Sequence, residues 1–315
     1  MKHVRLGALF LIFQIIFLIS GGLSDARTVK DTLDREVQLP DKIQRVVSLA
    51  PSITESVFAI GQGDKLVGAT QYSDYPAQAR KLPSIGSYVN LNVEKIISLR
   101  PDLCLATKDG NPYQVVQQLE RADIPVYALD PRDMPAIMDT LTDLGRLLDA
   151  QAQAEQVVKT MQRQVAALRR MGDRAEHRPK VFFQIGISPI VSVGSDTFIH
   201  ELISIAGGEN VAAGSVQYPR YSREDVLVAD PDVILINSMS KDEDLVQAEI
   251  KKWKAFPQID AVRSERIHPL DASLFNRPTP RLVEALRILV HLFHPQVLDK
   301  EEMMPVSSGS GDGNG

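Results

Sequence analysis

The sequence predicts an α/β fold of two lobes, each with a mainly parallel sheet, joined by a single long rigid helix. Three observations predict it: a helix–proline–strand unit that occurs twice, apolar strands alternating with capped helices, and one long amphipathic stretch between the halves. The unit is first Asn92-Val-Glu94 leading to Pro101-Asp102 and the apolar run Leu103 to Ala106. It returns as Ser222-Arg-Glu224 leading to Pro231-Asp232 and Val233 to Ile236. In both, a capping residue precedes a short helix that proline ends, and a strand apolar on both faces follows. Such a strand belongs in a sheet covered by helices, so the chain reads as a duplicated, Rossmann-like lobe.

Composition sets the frame. The chain has 315 residues, 44% hydrophobic and 24% charged, with 19 Gly and 19 Pro. That is globular composition with material for two domains. A formal charge of -5 excludes a nucleic-acid footprint. The single cysteine, Cys104, excludes an internal disulfide and a thiolate metal cluster.

Residues 1–26 read as a secretory signal peptide: Lys2, His3 and Arg5 form a basic start, Leu6 to Ser20 an apolar run, and Ser24-Asp25-Ala26 a cleavage site. The apolar run is shorter than the ~20 residues of a membrane span, so the expectation is cleavage after Ala26 and export to the periplasm. Residues 27–44 lead in to the first lobe, residues 45–149. There Arg45–Leu49 is a strand, and Ser52-Ile-Thr-Glu55 fits a capping box for a helix ending at Gly61. Further strands are expected at Leu66–Ala69 and Val126–Leu129.

Residues 150–173 form the connector. Ala154, Val157, Val158, Met161, Val165, Leu168 and Met171 recur at helical spacing from Gln151 onward. The result is a rod of roughly 30 Å that resists hinge closure. The second lobe, residues 178–298, opens with the strand Lys180–Ile185. A helix from about Asp196 to Ala206 follows, closed by Gly207-Gly208, with further strands at Val191–Val193 and Arg266–Leu270. Residues 299–315, rich in Gly and Ser, read as a disordered tail.

From Arg45 to Leu292 the chain resembles the periplasmic substrate-binding proteins of ABC importers in which one helix joins two lobes. The likeness rests on Arg45-Val-Val-Ser-Leu-Ala-Pro51-Ser-Ile-Thr-Glu55, Asn92-Val-Glu94 with Arg100-Pro101-Asp102, and Gly207-Gly-Glu-Asn210. Three stretches resemble the cobalamin-carrying branch in particular: Tyr72-Ser-Asp-Tyr-Pro76, Ser222-Arg-Glu224 and Asn276-Arg277-Pro-Thr-Pro280-Arg281. The resemblance implies a cobalamin or related corrinoid as transported ligand, no catalytic cofactor, and a cleft between the lobes. Matching ligand positions are Ser52, Tyr72 and Tyr88 on the first lobe and Ile185, Tyr218, Phe275 and Arg277 on the second. Aromatic faces suit a broad macrocycle.

It also implies that Glu94 and Glu224 contact a membrane permease dimer with its ATPase subunits, one lobe per permease subunit, and that the free protein is monomeric. An acid near a helix N-terminus is favoured in any case, by ~0.3–1 kcal/mol; the sharing of that acid by both lobes is what points to docking.

The chain departs from the cobalamin branch where tryptophans would line the cleft: it has Tyr88, Thr107 and Tyr218. Its only tryptophan is Trp253, and Ser273 stands where an acid is expected. The same-family alternative is a ferric siderophore or haem carrier, which Arg220 and Arg277 keep open. A metal-binding protein or metalloenzyme is the remaining alternative. His291 and His294 lie three apart, but on a helix that otherwise reads as apolar. No nucleophile elbow, phosphate loop or dinucleotide loop follows a strand, so the sequence supports no enzyme. Cys104, flanked by Leu103 and Leu105, reads as a small core hydrophobe.

Overall fold

The computed structural model describes residues 26–237 and 243–296. The predicted leader, save Ala26, and the predicted tail lie outside the described residues.

The lead-in has regular structure of its own. It folds as an antiparallel hairpin of β1 (Ala26–Lys30) and β2 (Glu36–Pro40). Its turn is built on Asp31, whose Oδ1 accepts from the Leu33 and Arg35 amides at 2.9 Å. Val37 and Leu39 on alternate positions of β2 enter the core.

The first lobe holds a four-stranded parallel sheet of β3 (Val46–Ser48), β4 (Leu66–Ala69), β5 (Leu103–Thr107) and β6 (Val126–Leu129), in the order β4-β3-β5-β6. Helices α1 (Pro51–Ala59), α2 (Val93–Ser98), α3 (Tyr113–Arg121) and α4 (Met134–Leu147) accompany it. The second lobe repeats the plan. Strands β7 (Lys180–Gln184), β8 (Gly186–Ile187), β9 (Ile190–Val191), β10 (Glu209–Asn210), β11 (Arg220–Tyr221), β12 (Val233–Ile236) and β13 (Ile267–Pro269) form two sheets. One is four-stranded and parallel, β10-β7-β12-β13; the other is a small antiparallel sheet, β11-β9-β8. The strands β5 and β12 of the repeated unit sit in equivalent central places, and all but Thr107 of their residues are buried, as two-sided apolar runs require.

Between the lobes runs α5 (Gln151–Asp173). Its predicted stripe faces inward, with Ala154, Met161, Val165 and Leu168 buried. Both ends are seated by close backbone approach. At the first lobe a Cβ on Gly145 would meet the Ala154 methyl at 2.6 Å, and at the second a Cβ on Gly172 would meet the Ile205 carbonyl at 2.6 Å. One continuous apolar cluster contains Leu103 and Leu105, the rod residues Met161, Val165 and Leu168, and Val181 and Phe183. A core running unbroken through both lobes opposes hinge motion. No helix among the described residues is long and apolar enough to cross a membrane.

The remaining helices are α6 (Phe198–Ile205), α7 (Arg223–Ala229), α8 (Glu243–Trp253), α9 (Asp260–Arg263), α10 (Ala272–Phe275) and α11 (Leu282–Phe293). The capping box expected at Ser52–Glu55 does not form. Pro51 is already the first helical residue of α1, Ala50 is its cap, and Ser52 and Glu55 lie inside the helix. Proline's fixed φ and missing N–H fit it to that first position, which moves the start two residues earlier. A true capping box occurs instead at Ser222 with Asp225.

Candidate functional site

In each lobe the C-terminal ends of the parallel strands feed loops, the usual place for a ligand crevice in α/β sheets. In the first lobe these loops follow β3, β4 and β5; Tyr72 and Tyr88 lie on them, Ser52 in the first turn of α1 and Thr107 at the end of β5. Two devices hold them. The first is a buried chain of hydroxyls. Ser48 Oγ donates to the Ala50 carbonyl at 2.9 Å, and Thr54 Oγ1 donates to Ser48 Oγ at 2.9 Å. Each hydroxyl has one proton, so Ser73 Oγ donates to Thr54 at 2.9 Å and Thr70 to Ser73 at 3.1 Å. The chain pins the loop bearing Tyr72, Asp74 and Tyr75 onto α1.

The second device is Asn111. Its Nδ2 donates to the Leu49 carbonyl at 2.8 Å and the Tyr88 carbonyl at 3.0 Å, while its Oδ1 accepts from the Thr107 amide at 2.8 Å. One amide side chain thus ties three loops. Sequence reading missed it, because an asparagine in a polar loop carries no spacing signal.

In the second lobe Ile185 follows β7 and its amide donates to the Val191 carbonyl at 2.9 Å. Tyr218 stands on a loop tied by the Gly194 amide to the Gln217 carbonyl at 2.8 Å. Tyr72 and Tyr218 are 42% and 52% exposed, so their rings are free to meet a ligand. Ser52 is nearly buried, and Tyr88 and Ile185 are half-buried. Burial raises the Tyr218 phenol pKa, and the carboxylates of Asp109, from the opposite lobe, and Asp196 raise it further. The phenol therefore stays protonated as a hydrogen-bond donor.

Phe275 and Arg277 differ from expectation. Phe275 is 1% exposed, with its ring 6.1 Å from that of Phe183. It anchors its loop in the core and offers no face to a ligand. Arg277 is engaged with the first lobe: Nη1 donates to Glu55 Oε1 at 2.7 Å and Asp74 Oδ1 at 2.8 Å, and Nη2 to the Tyr72 carbonyl at 2.9 Å. Arg281 lies 3.6 Å from Glu55 Oε2 and places its guanidinium 3.9 Å from the Tyr75 ring centroid. Burial pushes the Glu55 carboxyl above its ordinary pKa, against the opposing pull of Arg277 and Arg281. Burial also works against the Arg277 charge, but its hydrogen bonds to Glu55 and Asp74 and the attraction of their charges outweigh it, and its pKa lies above the ordinary arginine value.

The two carboxylates singled out by the repeat sit alike. Glu94 is the second residue of α2, whose cap Asn92 accepts from the Lys95 amide at 2.8 Å. Glu224 is the second residue of α7, capped by Ser222. Both side chains are exposed. Between Ser222 and Glu224, Arg223 turns inward: Nη2 donates to the fully buried Glu249 Oε1 at 2.8 Å, and its guanidinium lies 4.3 Å from the Trp253 ring centroid. Glu249 Oε1 also accepts from Gln184 Nε2 at 2.9 Å, and Trp253 Nε1 donates to Gln184 Oε1 at 2.8 Å. Trp253 is thus a core residue of the second lobe, 0% exposed.

His291 is exposed while His294 is 2% exposed, so the pair does not share an environment. Among the described residues no group of three or more His, Cys, Asp or Glu is placed to hold a metal ion. Cys104 is fully buried in β5, and burial pushes its thiol up to about 12.

This arrangement has counterparts. Among known relatives, a vitamin B12-binding protein of Yersinia pestis is 37% identical over 249 residues, covering 78% of this chain and 85% of its own. The periplasmic vitamin B12 binding protein of Vibrio cholerae superposes with a TM-score of 0.70 at 30% identity, covering 80% of this chain and 96% of its own. A periplasmic heme binding protein from Pseudomonas aeruginosa superposes with a TM-score of 0.74 at 29% identity, covering 81% and 94%. The sequence profile of the periplasmic binding proteins matches residues 46–274. With its two α/β lobes on one rod, the chain is a member of the periplasmic binding protein family.

Proposed function

We propose that this chain captures cobalamin or a related corrinoid between its lobes and delivers it to the permease dimer of an ABC importer. It performs no covalent chemistry on its cargo. The observation that carries the reading is the 37% identity to a vitamin B12-binding protein across 78% of the chain. Exposed tyrosines at loops of both lobes support it. Ligand contact is assigned to Ser52, Tyr72, Tyr88, Ile185 and Tyr218, with Phe275 and Arg277 acting through the loops they hold. Glu94 and Glu224 dock one lobe to each permease subunit. The leader is removed after about Ala26, and the mature protein works as a periplasmic monomer with lobes at 45–149 and 178–298.

A second reading, a haem carrier, is favoured by the TM-score of 0.74 to a heme binding protein. Equilibrium dialysis of the mature protein against cyanocobalamin, haemin and a ferric siderophore separates them. Retention of the corrinoid supports the proposal; retention of haemin or the siderophore without the corrinoid refutes it.

A further inference from the structure

The stretches Tyr72-Ser-Asp-Tyr-Pro76 and Arg277-Pro-Thr-Pro280-Arg281 are brought together across the lobes by direct contact. Arg277 reaches three acceptors on the first lobe, all more than 200 residues away in sequence. The partners are enclosed: the side chains of Arg277 and Glu55 are 13% and 2% exposed. Arg281 adds a second cation beside Glu55 and covers the Tyr75 ring. The donors and acceptors are themselves anchored. Glu55 is inside α1, Asp74 and Tyr72 are held by the Ser48–Thr54–Ser73 hydroxyl chain, and the Arg277 loop is rooted by buried Phe275 and Thr279.

A rigid fork gripping fixed acceptors transmits position rather than merely neutralising charge. A further tie between the lobes, Glu201 Oε2 accepting from the Met134 amide at 2.8 Å, involves α6, which packs on the rod. The Arg277 cluster joins the lobes through residues that are not on the rod.

We propose that Glu55, Asp74, Arg277 and Arg281 form an interlobe latch that sets the separation and tilt of the lobes, and that Arg277 is a positioning residue rather than a ligand contact. The latch fixes the width of the crevice and the spacing of the α2 and α7 faces at once. Its bearing on corrinoid affinity rests on the cleft reading above; its bearing on lobe geometry does not. It also engages Arg277, one of the two cations that would otherwise attract an anionic cargo.

The test is a distance measurement between spin labels at Ile97→Cys on α2 and Val228→Cys on α7, positions 41% and 87% exposed. Buried Cys104 does not compete for label. The ligand-free protein is expected to give one narrow distribution. Arg277→Gln and Asp74→Asn are expected to broaden or shift it, with Arg277→Lys between them and the parent, because an ammonium keeps the charge without the fork. Circular dichroism identifies variants that remain folded. Corrinoid affinity of the folded variants is expected to fall about tenfold, the cost of a less preorganised site. Unchanged distributions in folded Arg277→Gln and Asp74→Asn overturn the latch, whether or not affinity changes. A broadened distribution in a protein that binds no corrinoid leaves the latch standing and refutes only the ligand reading.

Discussion

Asp102 and Asp232 perform the same task in the two lobes. Each accepts through Oδ2 the amide that opens its lobe's leading strand, Arg45 at 2.8 Å and Lys180 at 2.7 Å, and each returns its own amide to that residue's carbonyl at 2.8 Å. The preceding prolines follow residues with left-handed backbone, Arg100 at φ 47 and Asp230 at φ 42. The recurrent Pro-Asp is therefore a clasp that turns the chain out of the helix and locks the new strand beside the first. A charge-assisted bond of this kind is worth ~1.5–3 kcal/mol.

Asp102→Ala and Asp232→Ala are accordingly expected to lower unfolding free energy by about 2 kcal/mol each. Asp102 should cost more, because its Oδ2 also accepts from the Gln44 amide at 2.8 Å. Urea titration followed by circular dichroism checks both. A negligible effect in either lobe contradicts the clasp.

Asn111→Ala removes the tie among the loops at Leu49, Tyr88 and Thr107. With ~1 kcal/mol per neutral hydrogen bond, about 2–3 kcal/mol of stability is lost. The larger consequence is loose placement of Tyr88, so corrinoid affinity should fall about tenfold with stoichiometry unchanged. Unaltered affinity would show that Tyr88 does not touch the cargo.

Glu55 gives a pH signature. Burial raises its folded pKa above the ordinary carboxyl value of 4.5, so between that value and its folded pKa the folded state holds more protons than the unfolded chain. Stability contributed by this group is therefore fully present below 4.5 and declines as pH rises through the folded pKa. Subtracting the pH–stability curve of Glu55→Gln from that of the parent should give a difference that falls with rising pH above 4.5 and then levels. A flat or rising difference contradicts the burial argument.

Glu94→Ala with Glu224→Ala should leave cargo binding intact and abolish uptake into reconstituted vesicles carrying the transporter. Exposed acids act on orientation and encounter rate, so each single variant is expected to retain part of the transport. Full uptake by the double variant would refute their docking role.

The repeat, the two sheets and the rod were legible because apolar runs flanked by caps and prolines dictate them locally. Of the small β8–β9–β11 sheet only β9 was legible, as the strand expected at Val191–Val193; β8 and β11 were not, since strands of two residues are too short for alternation to appear. Nor was the hairpin in the lead-in, whose turn depends on Asp31 bonding its own neighbours. At the site, Tyr72 and Tyr218 lie exposed on loops, while the contacts made by Phe275 and Arg277 were hidden. Those contacts are with Phe183 and with Glu55, far along the chain, and no local pattern encodes them.

The central claim is tested most directly by calorimetric titration of the mature protein with cyanocobalamin. The account predicts saturable binding of one corrinoid per chain that weakens when Tyr72 or Tyr218 is replaced by alanine. Absence of binding to any corrinoid, with saturable uptake of haemin instead, would contradict it.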